Sequence, residues 1–196
     1  MNRLKGIKIG VVLTGSHCTI ADVIPHIKRM KDEGAKIFPI FSYTVENTDN
    51  RFYMVDDLKK EIHAITDEPI ISTITGAEPI GPVNYLDIVA VIPATGNTIA
   101  KLANGITDTP ALMAIKAQLR NQKPIVIGIS TNDALSINAK NIGLLLNMKN
   151  IYFVPFRQDN PHEKATSVLF DMEQIVDTIY LALRGKQIQP ILLSPA

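Results

Sequence analysis

Four short polar stretches each follow an apolar run: residues 14–19 (TGSHCT), 42–47 (SYTVEN), 94–98 (ATGNT) and 130–133 (STND). They place Thr14, Ser16, Ser42, Thr44, Thr95, Asn97, Thr98, Ser130 and Thr131 at strand-like ends. Small hydroxyl and amide donors of this kind suit phosphate and polyol oxygens. The same residue types cap helices and shape turns, so none of them marks a site alone. Together they do. Loops that follow parallel strands emerge on one rim of the sheet, which is where open α/β sheets bind ligands. A helix opening just beyond such a loop turns free N–H groups toward an anion. The chemistry on offer is therefore recognition of a phosphate-bearing cofactor.

The residues that could move charge are few. His17 sits in the first polar stretch and could donate a proton near neutral pH. Its neighbour Cys18 is expected to be a buried thiol, the commoner state of a lone cysteine. Arg51 and Arg157 each follow a polar loop beyond a strand, and either could neutralise an acidic substrate. His26 and His63 fall in helical patterns and are read as surface or packing residues. Glu46, Asp49, Glu78, Asp87, Asp108, Asp133 and Asp159 are scattered and form no metal-ligand spacing, so no metal is expected. The dinucleotide pattern GxGxxG is absent from the first turn and no Walker A lysine appears. A mononucleotide such as FMN is thereby favoured over NAD.

The elements that must position these residues follow from hydrophobic periodicity. Apolar runs at residues 8–13, 36–41, 85–93, 123–129 and 151–156 read as strands. Pro39 argues that the second lies at a sheet edge. Helical patterns cover about residues 20–33, 55–65, 97–103, 110–121, 137–148 and 168–184. In the last, Leu169, Met172, Ile175, Val176, Ile179 and Leu183 share a face. Residues 157–161 read as a turn, and residues 67–84 as an ordered excursion with a possible short strand at Ile70, Ile71 and Ile74. Strands alternating with helices imply a three-layer α/β, flavodoxin-like or Rossmann-like fold with a mostly parallel sheet. A single domain over residues 1–196 is expected, with the proline-bearing tail 185–196 either packing on a neighbouring subunit or lying in a groove.

Composition narrows the partners. The chain of 196 residues carries 20 basic and 19 acidic side chains, a net charge of +1. Bulk attraction to nucleic acid or anionic membrane is not expected. One cysteine excludes an internal disulfide and suits a reducing cytoplasm. The N-terminal apolar run is short and broken by Lys8 and Gly10, which fits a first strand better than a signal peptide or membrane span.

The stretch PATGNTIAKLANGITD, residues 93–108, resembles the PxSxNTxxKxAxGxxD signature of the homo-oligomeric flavin-containing cysteine decarboxylases and their flavoprotein relatives. TGSHCT, SYTV, GISTNDALS and NIYFVPF extend the likeness across most of the first three quarters of the chain. The resemblance implies bound FMN and a homo-oligomer, a trimer or dodecamer. It assigns FMN contacts to Gly15, Ser16, Ser42, Thr95, Asn97, Thr98, Ser130 and Thr131. It is nearest to the flavoprotein-like member of a two-component oxidoreductase of sporulating bacteria. That implies an NADP-holding partner protein, a small dicarboxylate substrate, and a place in the mother-cell cytoplasm. His17, Arg51 and Arg157 would then be the candidate catalytic residues. Two departures stand out. The family's decarboxylases carry a histidine where this chain has residues 71–85 without one, and a PxMN clamp where it has Ser130-Thr131-Asn132-Asp133. Both speak against a stand-alone decarboxylase, and the aromatic-poor loops do not support a prenyltransferase. A non-catalytic stabilising role is the other reading.

Overall fold

The computed structural model describes residues 2–194. Its frame is a parallel sheet of β1 (Lys8–Leu13), β2 (Lys36–Phe41), β3 (Ile88–Ala94), β4 (Ile125–Thr131) and β5 (Ile151–Phe153). Two further strands, β6 (Phe156–Asn160) and β7 (Lys164–Phe170), form an antiparallel hairpin. The strand order is β2-β1-β3-β4-β7-β6, with β5 also pairing β4. Every residue of β3 is buried, and β4 is buried up to Ser130. Such continuous apolar runs need cover on both faces. Helices α1 (His17–Asp32), α3 (Val55–Thr66) and α9 (Ile175–Ala182) pack on one side. On the other lie α4 (Ile74–Ala77), α5 (Ile80–Val83), α6 (Gly96–Ala103), α7 (Pro110–Arg120) and α8 (Ala139–Leu146). The short α2 (Tyr43–Asn47) follows β2.

The chain leaves β1 through α1 to β2 on one side, then returns to place β3 on the other side of β1. The polarity of the connections reverses between β1 and β3, and a crevice opens at their C-terminal ends. One side chain bridges it. Thr14 Oγ1 donates to the Pro93 carbonyl at 2.7 Å and accepts from the Thr95 N–H at 3.0 Å. A buried hydroxyl that both donates and accepts locks the two loops in fixed relation.

Several expectations change. The helix expected over residues 168–184 is instead the end of β7, a short 3-10 turn at Met172–Gln174 and then α9. Asp171 starts the turn by accepting from the Glu173 N–H at 3.1 Å, an N-cap that the apolar periodicity hides. The fifth strand stops at Phe153, and the expected turn at 157–161 is largely β6. The strand at 85–93 runs through Pro93 to Ala94, and α1 starts at His17. Of the possible strand near Ile71, one bridge to Ile40 forms, while Ile74 opens α4. Pro39 does lie on an edge strand. In the tail, Leu192 bridges Phe156, whose N–H donates to the Ile191 carbonyl at 3.0 Å, and Leu192 itself stays 67% exposed, open to a neighbouring subunit. Residues 195–196 of the expected tail lie outside the described residues. No described helix is long and apolar enough to cross a membrane.

Candidate functional site

A cleft of about 530 Å³ opens at the crevice between β1 and β3 and extends over the end of β4. Its floor is a hydroxyl cluster. Ser130 Oγ lies 2.7 Å from Ser16 Oγ and 2.8 Å from Thr19 Oγ1, which are themselves 3.1 Å apart. Ser16 precedes α1 but does not cap it through its side chain, and no acidic residue lies in the first turn. The helix end therefore keeps its partial positive charge toward the cleft. Thr95 caps α6 by accepting from the Thr98 N–H at 3.3 Å.

A second network fixes the far rim. Asp133 accepts from Thr131 Oγ1 at 2.7 Å and from Asn138 Nδ2 at 2.8 Å. Gly96 lies against this pair so closely that a Cβ there would fall 2.5 Å from Asp133 Oδ1 and 2.6 Å from Asn138 Nδ2. The segment that replaces the decarboxylases' clamp is thus folded onto itself and onto the start of α6.

The outer wall is the β6–β7 hairpin. Thr166 Oγ1 donates to the Asn132 carbonyl at 2.6 Å and Ser167 Oγ to Asn132 Oδ1 at 3.3 Å. Lys164 pairs with Asp159 at 2.8 Å on the cleft side. None of these wall residues emerges as a site residue from the sequence, where residues 157–161 read as a turn, 168–184 as a helix and 162–167 as neither. The β-branched and aromatic members of KATSVLF, Thr166, Val168 and Phe170 at alternate positions, are the available signal.

The mouth is held by residues 50–53. His17 Nδ1 meets Tyr53 Oη at 2.5 Å and Asn50 Nδ2 at 3.2 Å. Arg51 and Phe52 lie between these two contacts and line the cleft. The Arg51 guanidinium stacks on the Phe52 ring at 4.8 Å and pairs with no carboxylate among the described residues. Burial holds His17 below the ordinary histidine value and pushes the Tyr53 hydroxyl up. The unfolded chain takes up a proton on this histidine before the folded one does. Stability from His17 is therefore present above about pH 6.5 and is lost as pH falls through the lower folded value. The urea midpoint should drop between about pH 7 and about pH 5, and drop less in His17→Gln. Equal losses in the two proteins would refute the assignment.

Of the candidate residues, Gly15, Ser16, His17, Arg51, Thr95, Ser130 and Thr131 share this cleft. Ser42 instead caps α2, accepting from the Val45 N–H at 3.5 Å. Thr98 is buried beneath Thr95, and Asn97 is exposed outside the cleft lining. Arg157 is not brought into the cleft: it pairs with Asp171 at 2.9 Å and lines an adjoining groove with Phe170 and Met172 that shares Asp159 and Leu169 with the cleft. Cys18 is a correction, being exposed on the cleft rather than buried. No group of three His, Cys, Asp or Glu among the described residues could hold a metal ion.

A flavodoxin-like sheet with a hydroxyl-lined crevice at its switch point places the chain in the class of open α/β folds whose ligand sites lie at that crevice. The flavoprotein family model matches residues 1–184, and the chain belongs to that family. It is 46% identical over 193 residues to the B subunit of dipicolinate synthase of Bacillus subtilis (strain 168), covering 98% of this chain and 96% of that one. The crystal structure of the B subunit of dipicolinate synthase from Bacillus halodurans superposes with a TM-score of 0.90 at 48% identity, over 97% of this chain and 98% of that one. The FMN-dependent cysteine decarboxylase SpaF, at 19% identity, shares the fold, with a TM-score of 0.63 over 94% of this chain and 99% of that one.

Proposed function

We propose that the chain is the flavoprotein-like B subunit of a dipicolinate synthase. It acts with the A subunit of that synthase to oxidise a dihydrodipicolinate precursor to dipicolinate during sporulation. One observation carries the reading: the phosphate- and polyol-suited cleft lies in a chain similar over nearly its whole length to a dipicolinate synthase component. The protein would work as one domain in the mother-cell cytoplasm, as a homo-oligomer of trimeric or dodecameric order. NADP would be held by the partner.

The cleft fits FMN through its own donors. The start of α1, Gly15 and Ser16 would hold an anionic phosphate, and the Ser16–Ser130 hydroxyls and Thr95 would face a ribityl chain. Thr131, set by Asp133, would define the far end. Ser42, Thr98 and Asn97 would act behind or beside this surface. Aromatisation of the ring removes two electrons and two protons, and bound FMN would supply the two-electron acceptor chemistry.

The remaining tasks fall to the mouth. Arg51 is an unpaired cation stacked in place, suited to a substrate carboxylate. His17 stands beside it, able to hydrogen-bond substrate. Arg157 is already paired with Asp171, which favours Arg51 for this task. Arg51→Ala should raise KM about tenfold in the reconstituted pair, with kcat less affected, because a charge-assisted hydrogen bond at an exposed site is lost. Arg51→Lys should recover part of it, and an unchanged KM would remove Arg51 from substrate binding. The reading as a whole is tested by copurifying the pair, assaying dipicolinate formation with and without FMN, and recording the absorbance spectrum. A colourless protein that takes up no FMN yet gives full activity with its partner would sink the flavin role.

A further inference from the structure

The grip on His17 has a direction that the distances alone determine. Asn50 Oδ1 accepts from the N–H groups of Phe52 at 2.9 Å and Tyr53 at 3.3 Å. Its Nδ2 donates to the Thr48 carbonyl at 3.2 Å. The amide cannot be turned over without placing oxygen against a carbonyl and nitrogen against two N–H donors. Its second Nδ2 hydrogen therefore points at His17 Nδ1, 3.2 Å away. An amide nitrogen only donates, so Nδ1 must accept. The Tyr53 hydroxyl, which can do either, then donates to the same nitrogen, and the two donors share its one lone pair, Tyr53 at 2.5 Å being the closer. The ring proton is left on Nε2. That atom lies on the Gly15 side, 3.7 Å from where a Gly15 Cβ would stand, and both residues line the cleft.

We propose that Asn50 and Tyr53 are positioning residues that hold His17 as the neutral Nε2–H tautomer, so that it meets a ligand in the cleft as a hydrogen-bond donor and not as a base. The ligand chemistry this suits is an acceptor oxygen, a carboxylate or phosphate, shared with the Arg51 cation that the same loop presents. Two consecutive residues, Arg51 and Phe52, are thus placed by the grip of their neighbours on one imidazole. Protonation at Nδ1 would set a donor against the Asn50 donor and weaken that grip. The charged or ionisable groups sharing the cleft with the ring are Arg51 and Tyr53 from the loop, Cys18 and Asp22 from α1, and the Lys164–Asp159 pair from the hairpin. The consequence for a ligand rests on the cleft being the ligand site, while the tautomer does not.

The test is ¹⁵N-edited NMR of the histidine rings in the full chain near neutral pH, with His17→Gln used to assign the signals. The wild-type spectrum should show His17 with Nδ1 unprotonated and Nε2 protonated. Asn50→Asp keeps the acceptor for Phe52 and Tyr53 but replaces the donor facing the ring. It should move the proton to Nδ1 and raise the histidine's titration midpoint. Tyr53→Phe should keep the wild-type tautomer, because Asn50 still donates. A wild-type His17 protonated at Nδ1, or one averaging both tautomers, overturns the proposal, and so does an Asn50→Asp spectrum with the proton still on Nε2. If Asn50→Asp fails to fold, the wild-type spectrum still decides. No FMN, substrate or partner protein enters the measurement, so a failure here is separate from a failure of the proposed activity.

Discussion

Phe170→Ala should destabilise the protein by about 3–5 kcal/mol, the usual cost of emptying a large aromatic site in a packed core. Phe170 is 2% exposed and ends β7, where it pairs with Phe156 across the hairpin. Its ring covers the bare backbone of Gly128 in β4: a Cβ on Gly128 would lie 2.9 Å from the ring and 3.0 Å from Ile92 Cγ2. The glycine and the aromatic are thus a matched pair, and removing the ring leaves a void that β4 cannot fill. The same ring fixes the hairpin that walls the cleft, so ligand binding should weaken beyond what the lost stability alone explains. The thermal midpoint should fall by roughly 6–20 °C for a chain of this size. A fall of only a degree or two would mean that β7 is not packed as described.

Gly96→Ala should have the second largest effect, and through a different cause. The added methyl would stand 2.5 Å from Asp133 Oδ1, 2.6 Å from Asn138 Nδ2 and 2.7 Å from Thr131 Oγ1. These are short side chains bonded to one another, with Asn138 further tied to Asn141 at 2.8 Å. They can yield only by breaking those bonds. Overpacking of this kind costs about 1–3 kcal/mol, and here it would also displace Thr131 and the start of α6. Alanine is otherwise the better helix residue, so the sign of the effect is informative. Gly143 in α8 has open space where a Cβ would stand, and Gly143→Ala should leave stability unchanged or improve it by about 0.5–1 kcal/mol. Urea titrations of the two variants beside FMN titrations check both halves of this contrast. Equal effects would show that the polar lock around Gly96 does not exist.

Much of the architecture is legible in the sequence because the physics that sets it is local. IVAVIPA and IVIGIST are too uniformly apolar for anything but strands covered on both faces. Thr95 caps α6 as its residue type suggests, whereas at α7 two capping types adjoin and Thr109 is the cap, Asp108 pairing with Lys101 instead. The rim loops at 14–19, 94–98 and 130–133 do converge, since parallel strands must end on one edge. The second loop does not reach the cleft lining: Ser42 is occupied by its own helix and stands 8% exposed.

The failures also have physical causes. Residues 164–170 alternate only weakly, and their apolar members fall in step with those of α9. A short window cannot separate the two periods. What makes the segment a strand is the unpaired upper edge of β4, left open because β5 ends after three residues. That open edge exists only once the sheet has formed. In the sequence Arg157 is as free as Arg51; in the fold, β6 and the turn after β7 bring Asp171 to it.

By itself the sequence determined the strand–helix alternation up to residue 153 and the family, because each is written in neighbouring residues. Pairing across the sheet decided the rest. It chose which of two arginines stays unpaired, raised a hairpin as the wall of the cleft, and set Asn50 and Tyr53 against His17 from 33 and 36 residues away. Contacts between residues distant in the chain carry no local pattern of their own. They follow from the geometry of the completed sheet, and in this protein the wall and mouth of the cleft are made of them.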